Sequence, residues 1–181
     1  SGYSLSQGFV FRCYSNGDID STFGINGYIF PNPFIFITSM VLQPDGKFVI
    51  TGNSMLIPNT QVAVARFNRD GYPDSSFGLD GKILTNIETH LQIINSLVLQ
   101  PDGKIIFAGE RLSGIGESLE YVFIRFNSDG SLDNSFGING IVHFIPYGNF
   151  NFMTNTSLQS DGKLLMSGGA VLDSVGSGRS G

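Results

Sequence analysis

The hexapeptide Leu-Gln-Pro-Asp-Gly-Lys constrains the fold of this chain more than any other feature. It occurs at residues 42–47 and 99–104, and it recurs at 158–163 with Ser160 in place of proline. Each copy lies between two apolar segments. Pro-Asp-Gly is typical of a tight turn, because proline fixes φ, aspartate caps the turn and glycine takes a positive φ. The sequence therefore predicts the tip of a β-hairpin, built three times.

A second block recurs between the hexapeptides. Residues 62–83 and 122–142 each carry a strand ending in arginine, an Asp-Gly turn, the motif Asp-x-x-Phe-Gly and a second turn before another strand, and residues 7–30 carry a related copy. Together the two blocks form a unit of about 57 residues with four strands. Strand a precedes the hexapeptide, strand b follows it, strand c ends in the arginine and strand d follows the second turn of the other block. Four antiparallel strands in a repeated unit predict a β-propeller blade.

Two other folds fit the repeat less well. A β-sandwich of twelve unrelated strands would not explain identical hairpin tips at a fixed period. A helical solenoid is excluded, since no segment carries a long apolar period of 3.6 residues. Many glycines and phenylalanines, with only 14% charged residues, also favour an all-β protein.

The chain is out of phase with the blade. We predict a single propeller domain with strands c and d at 1–30, full sets at 31–86 and 87–145, strands a and b at 146–169, and a flexible tail at 170–181. Propellers have about four to eight blades, so three repeats should not close, and unpaired edge strands seek partners. This predicts a homodimer that closes a six-bladed ring. The alternative is a fragment of a longer multi-blade protein.

At this point the pattern can be compared with a known repeat. Leu-Gln-Pro-Asp-Gly-Lys-(apolar)-Gly, a variable loop and Arg-Phe-Asn-x-Asp-Gly-x-x-Asp-x-x-Phe-Gly-x-x-Gly together resemble the bacterial delta-60 repeat, a β-propeller repeat of unknown function. The resemblance implies the propeller fold and a secreted or cell-surface location. It implies no catalytic residues.

Charge and composition disfavour several partners. The net charge is −5, with ten lysines plus arginines and no basic cluster, which is opposite to a nucleic-acid-binding surface. The apolar runs are shorter than the roughly 20 residues of a membrane span. Cys13 is the one cysteine, so no internal disulfide is possible. It occupies the repeat position of Phe67 and Phe126, which predicts a buried apolar role.

Arginine and aspartate recur eight residues apart, on either side of a glycine turn. The pairs are Arg12 with Asp20, Arg66 with Asp74, and Arg125 with Asp133. An arginine can hold such a carboxylate in a bidentate ion pair. Because all three copies keep the pair, we interpret it as framework within each blade; the alternative is a ring of ligand-binding arginines.

No pattern predicts a metal, a cofactor or an active site. Residues 127–133 superficially suggest a calcium loop, but Arg125 would stand where an oxygen ligand is required. We interpret the three aspartates of the pairs as turn caps, each followed by a phenylalanine that fills the core. His90 and His143 lie at non-equivalent repeat positions, and no catalytic motif accompanies them.

The segments between strands b and c differ among repeats and are predicted to be loops, at 53–61 and 110–120. Variable loops on a repeated scaffold indicate a binding surface. The candidate ligand-binding residues are Met55, Leu56, Ile57, Arg111 and Glu117. The sequence thus favours a non-enzymatic module that binds a protein or glycan through these loops or a central channel. The alternatives are a structural scaffold ring and a propeller-type hydrolase or lyase.

Overall fold

The structure, a computed structural model, describes residues 7–32, 34–56, 59–85, 91–112, 119–145 and 149–171. Within these residues every regular element is a β-strand, and no segment forms an apolar helix of membrane-spanning length. The strands are β1 (Val10–Phe11), β2 (Tyr28–Ile29), β3 (Phe34–Leu42), β4 (Phe48–Leu56), β5 (Asn59–Phe67), β6 (Lys82–Thr85), β7 (Leu91–Leu99), β8 (Ile105–Leu112), β9 (Leu119–Phe126), β10 (Ile141–Phe144), β11 (Asn149–Leu158) and β12 (Leu164–Val171).

The strands form four antiparallel sheets. The first sheet is β1-β2, the second is β3-β4-β5-β6, the third is β7-β8-β9-β10 and the fourth is β11-β12. The second and third sheets are therefore complete a-b-c-d sets, as the repeat predicts. The first holds strands c and d, and the fourth holds a and b. β12 ends at Val171, two residues inside the predicted tail.

The a-b turns have the predicted geometry. In the first copy the N–H of Lys47 donates to Asp45 Oδ1 at 3.0 Å, and Gly46 has a φ of +86°. The second copy repeats both features at Asp102 and Gly103. The prediction of a hairpin tip from Pro-Asp-Gly is confirmed.

The predicted loop at 53–61 is wrong. β4 runs to Leu56 and β5 begins at Asn59, so Met55 pairs with Thr60 and Leu56 with Asn59, while residues 57–58 lie outside the described residues. In the third sheet β8 and β9 extend to the pair of Leu112 with Leu119, leaving 113–118 outside the described residues. Backbone hydrogen bonds between the paired strands stabilise these polar segments. The loop prediction failed because it considered only residue composition and not strand pairing.

The core lies between neighbouring sheets, so strands b and c of the two complete sheets are buried on both faces. Val49 and Ile50 of β4 are neighbours in sequence and are both fully buried. Because opposite faces of the strand pack on different neighbours, these strands have continuous apolar runs and no polar alternation. Phe77, which follows the c-d turn of the second sheet, is also fully buried and packs with β8 and β9 residues of the third. Phe23 and Phe77 of the Asp-x-x-Phe-Gly motifs are thus core residues, as predicted, whereas Phe136 is half-buried.

The prediction that Cys13 is buried is wrong, because its side chain is exposed. Its repeat counterparts Phe67 and Phe126 each pack on a strand b in the same sheet, at Phe48 and Ile105. In the described part of the chain β1 pairs only with β2, so no strand b covers this position. Repeat alignment identified the position but not the missing neighbour.

A glycine in strand b allows strand a to bulge against it. A Cβ added at Gly52 would overlap the carbonyl oxygen of Phe36, and one at Gly168 would overlap that of Phe152. The β3-β4 register shifts in this region, between Phe34 and Phe36 and again between Ile37 and Ser39. A bulge carbonyl fits only where the facing residue has no side chain.

Gly52→Ala tests this close approach. The obstructing atom belongs to the backbone and cannot rotate away, so we expect the free energy of unfolding to fall by about 2 kcal/mol. The control is Gly169→Ala, whose added methyl group meets only the ring of Phe152, an exposed side chain with room to move. Urea denaturation of both variants measures the difference. Equal losses would contradict the role of the bulge.

Candidate functional site

A buried carboxylate organises the polar contacts of each complete blade. In the second sheet Asp74 Oδ2 accepts from Arg66 Nε at 2.7 Å and from Lys47 Nζ at 2.8 Å. Its Oδ1 accepts the backbone N–H of Ser76 at 3.1 Å and the hydroxyl of Ser76 at 2.7 Å. One side chain therefore pairs with two cations and caps its own turn. Lys47 comes from the repeated hexapeptide, which connects the two recurrent blocks physically.

The third sheet repeats the arrangement. Asp133 Oδ2 accepts from Arg125 Nε at 2.7 Å and from Lys104 Nζ at 2.9 Å, and Ser135 caps the turn through Oδ1. The first sheet holds Arg12 Nε at 2.8 Å from Asp20 Oδ2. The structure thus brings together every arginine and aspartate that the sequence paired.

The predicted bidentate geometry is wrong, because only Nε of each arginine contacts the carboxylate. The other nitrogens have different partners: Arg66 donates from Nη2 to the Ser76 hydroxyl and from Nη1 to the carbonyl oxygen of Ser128, in the third sheet. Arg12 donates in the same way to the carbonyl of Arg69, in the second sheet. The guanidinium also lies over its own sheet's phenylalanine, 4.6 Å from the ring centroid of Phe77. Arg12 and Arg66 therefore each fasten their blade to the next one, whereas the hydrogen bonds described for Arg125 stay within its own blade.

Hydrogen bonds hold the pKa values of these aspartates low. For Asp74, burial raises the pKa. The hydrogen bonds from Lys47 and Ser76 and the charge of Arg66 outweigh that effect and hold the pKa well below its usual range. For Asp133 the Ser135 hydrogen bond contributes most to the lowering. Asp20 has its pKa lowered to about 2, chiefly by Thr22. All three carboxylates are ionised at neutral pH and serve as acceptors within the scaffold.

The suspected calcium loop uses its oxygens for internal bonds. Asp129 Oδ1 accepts the N–H of Ser131 at 2.8 Å and its hydroxyl at 2.7 Å, and Asp133 is occupied as described. No group of three or more histidine, cysteine, aspartate or glutamate side chains suited to a metal ion occurs in the ranges that the structure describes. These loop residues therefore act in turn chemistry.

The complete blades differ at the far end of the b-c hairpin. In the third sheet Arg111 Nε donates to Glu120 Oε2 at 2.8 Å across the β8-β9 pair, and His143 Nδ1 lies 3.6 Å from the same oxygen. The corresponding positions in the second sheet are Ser54, Gln61 and Leu84. We name Arg111, Glu120 and His143 the blade-end cluster. The two complete blades therefore differ in chemistry at this point.

The other predicted ligand-binding residues are less well placed. Met55 and Leu56 lie in β4, paired with β5, whereas Ile57, Glu117 and also His90 lie outside the described residues. Sequence reasoning named Arg111 but missed Glu120. Cross-strand pairing of 111 with 120 would have identified it, had the b-c segment been recognised as a hairpin.

Sequence reasoning also missed Glu110, a buried acid at the junction of the third and fourth sheets. Its Oε1 accepts the side-chain amide of Asn95 at 3.1 Å and the backbone N–H of Met153 in β11. Asn95 in turn donates to the carbonyl oxygen of Met153 at 2.7 Å. These contacts bind neighbouring inner strands to each other, so Glu110 serves as a link between blades.

One family model matches the chain. It is described as "Domain of unknown function (DUF5122) beta-propeller" and matches residues 43–77 and 100–136. Both matches run from the a-b turn to the phenylalanine region of the c-d turn, so they coincide with the two complete copies of the carboxylate network. The match supports a propeller repeat, and it does not specify the delta-60 repeat. No curated protein and no solved structure matches this chain.

Asp74→Asn tests the carboxylate network. The change leaves Arg66 and Lys47 without a counter-charge in a buried site, so we expect the free energy of unfolding at pH 7 to fall by about 3 kcal/mol. The folded pKa of Asp74 is below its unfolded value of about 3.9. Its contribution is therefore complete above that value and is lost as the pH falls towards the folded pKa. The wild-type chain should lose stability steeply below about pH 4, and the variant less steeply.

Urea denaturation at a series of pH values measures both effects. Asp45→Asn is the matched control, because asparagine keeps the acceptor oxygen that the N–H of Lys47 uses in the a-b turn. Equal destabilisation of the two variants, or an unchanged acid dependence in Asp74→Asn, would show that the network does not stabilise the fold.

Proposed function

We propose that this chain is a non-enzymatic β-propeller module that binds a protein or glycan ligand at the ends of its b-c hairpins or in a central channel. The observation that carries the proposal is the contrast between the two complete blades. Their carboxylate networks have the same geometry, while their hairpin ends differ in charge and hydrogen-bonding groups. We assign the shared geometry to the stability of the scaffold. We assign ligand binding to the hairpin ends, where the residues differ between blades.

The blade-end cluster is the best candidate for recognition. It combines a guanidinium, a carboxylate and an imidazole on three adjacent strands, which suits a ligand rich in hydroxyl or amide groups. The ring of Phe144 lies beside that of Tyr121, with centroids 6.3 Å apart, and is about half exposed. Such a ring offers a stacking surface for a sugar in a chain that has no tryptophan.

Two further features belong to this proposal. The first is the assembly, a homodimer that closes a six-bladed ring, for which the two half-blades of the chain are the support. The second is a secreted or cell-surface location, which rests on the resemblance to the delta-60 repeat. A scaffold ring without a ligand is the alternative function. The hydrolase or lyase alternative has no supporting observation among the described side chains.

A glycan array and a pulldown from extracellular material test the binding role. If a ligand is retained, Arg111→Ala should weaken its binding about tenfold or more, because a charge-assisted hydrogen bond is lost. Arg69→Ala is the matched control, since it removes an arginine side chain from a c-d turn at the other end of a c strand. Binding that survives Arg111→Ala, or that falls equally in both variants, would place recognition elsewhere. Failure to retain any ligand would favour the scaffold alternative.

A further inference from the structure

We infer that β12 of one copy of this chain pairs with β1 of a second copy, in the register of strands b and c, and that this pairing completes a blade. The inference rests on the homodimer proposed above and assigns the contacts that hold it. In the described residues β12 pairs only with β11, and β1 only with β2. A composite blade would then have the order β11-β12 from one copy and β1-β2 from the other.

Apolar side chains at both edges are exposed where their repeat counterparts are buried. Phe11 of β1 is 50% exposed, while Ile124 at the same position of β9 is 2% exposed. Leu165 of β12 is 55% exposed, against 1% for Ile106 of β8. In the complete blades these positions are covered by the pairing of strand b with strand c and by the next sheet. The two edges expose complementary halves of one core.

The ion pairs are incomplete in the same complementary way. Lys47 and Lys104 each reach the aspartate of their blade, but the equivalent Lys163 is 76% exposed and contacts Asp161 in its own turn. At the other end Asp20 Oδ2 accepts from Arg12, and no lysine joins it within the described residues. A composite blade would place Lys163 of one copy beside Asp20 of the other, with the geometry of the two complete blades.

The connections between strands c and d contact each other from blade to blade, and the first of them lacks such a contact on one side. Gly78 donates its backbone N–H to the carbonyl of Asp129 in the following sheet, and Gly24 donates to Asp70 in the same way. Gly130 is accordingly crowded, with the N atom of Gly78 2.9 Å from the position of an added Cβ. The equivalent Gly17 has open space around that position. The turn at 15–17 thus lacks a preceding blade, which the turn of Gly137 in a second copy would supply.

The inner strands repeat this pattern. The N–H of Leu97 donates to Ser39 Oγ in the preceding sheet, and the N–H of Thr156 donates to Ser96 Oγ. Leu97 is buried by that contact, whereas Met40, its counterpart in β3, is 57% exposed. The inner strand that would cover Met40 is β11 of a second copy. The strand edges, the c-d connections and the inner strands at the two ends of the chain therefore lack complementary contacts.

A second copy fits these edges better than the same chain does. The repeats of the given sequence would close among themselves only as a ring of three blades, below the four to eight that propellers form. Two copies related by a two-fold axis bury both pairs of edges and contain four complete and two composite blades. Each copy then donates strands a and b to one composite blade and strands c and d to the other.

The register makes a precise prediction about Cys13. Strand b pairs with strand c through Phe48 with Phe67, and through Ile105 with Phe126. The rings of Phe48 and Phe67 stack, with centroids 5.4 Å apart, so the side chains of this pair touch. Leu164 and Cys13 are the equivalent positions and would face each other across the composite blade. Directly paired residues have Cα atoms about 4.5–5.5 Å apart, within the range of a disulfide.

Leu164→Cys tests the register with the native cysteine as its partner. Under mild oxidation we expect the variant to convert to a covalent dimer on a non-reducing gel, with a mass equal to two chains. The matched control is Leu165→Cys, which moves the thiol by one residue to the opposite face of the strand and should not cross-link. Cys13→Ser in the Leu164→Cys background should abolish the covalent dimer.

Several outcomes would overturn the inference. An internal disulfide in a monomer would show that the edges close within one copy. A monomer by light scattering at micromolar concentration would show that a further repeat, and not a second copy, covers them. A dimer that cross-links equally at 164 and 165, or at neither, would place its interface elsewhere. The binding role is tested by a different measurement, the effect of Arg111→Ala on ligand binding. Failure of this interface can therefore be distinguished from failure of the binding role.

Lys163→Glu provides a second measurement that does not depend on cross-linking. Among the described residues the side chain of Lys163 bonds to Asp161 in its own turn alone, so the fold of each copy should be retained, as checked by thermal unfolding of the monomer. We expect the dimer dissociation constant to rise at least about tenfold, because glutamate would face Asp20. Lys163→Arg should restore dimerisation. An unchanged dissociation constant in Lys163→Glu would contradict the composite blade.

Discussion

The contact of Arg66 with both Asp74 and the carbonyl of Ser128 is the interaction on which the arrangement of blades depends. A buried guanidinium is costly unless its charge and its donors are satisfied. Here the charge is balanced within the blade, and a remaining donor is satisfied only by the next blade. The network thus couples the internal order of each sheet to the position of its neighbour. Because the contact recurs between the first and second sheets, one local rule sets the relation of successive blades.

The same dependence explains why the ends of the chain differ from its middle. In a repeat architecture each unit is stabilised by its neighbours, so a unit without one leaves charges and apolar groups unsatisfied. Asp20 and Lys163 are the two halves of an ion pair that the middle of the chain makes twice within single blades. In the composite blade proposed above, Phe11 and Leu165 would likewise form a packed pair of strands. The complete blades show what contacts such a complementary copy would supply.

Residue patterns predicted the elements whose geometry is local. Pro-Asp-Gly predicted the a-b turns, and the phenylalanines after the Asp-x-x motifs correctly indicated core positions at Phe23 and Phe77. Features set by strand pairing were missed, because pairing partners are not encoded in local composition. The polar residues near Ser54 suggested a loop, yet the ladder with β5 makes them part of a hairpin. Cys13 was misjudged for the same reason. Its counterparts are covered by a strand b, and in the described part of the chain no strand b pairs with β1.

Strand pairing also bears on the binding role that is proposed for the hairpin ends. Near the a-b and c-d turns, side chains are committed to the networks that join blades, and a change there alters the scaffold. Arg111 and Glu120 lie at the opposite end of strands β8 and β9, where their backbones are fixed by the ladder while their side chains contact each other across it. In the binding role proposed above, this rigid backbone would hold the side chains of the hairpin end in place for a ligand. The commitment of the repeated residues to blade contacts therefore leaves the hairpin ends as the surface where chemistry can vary without cost to the fold.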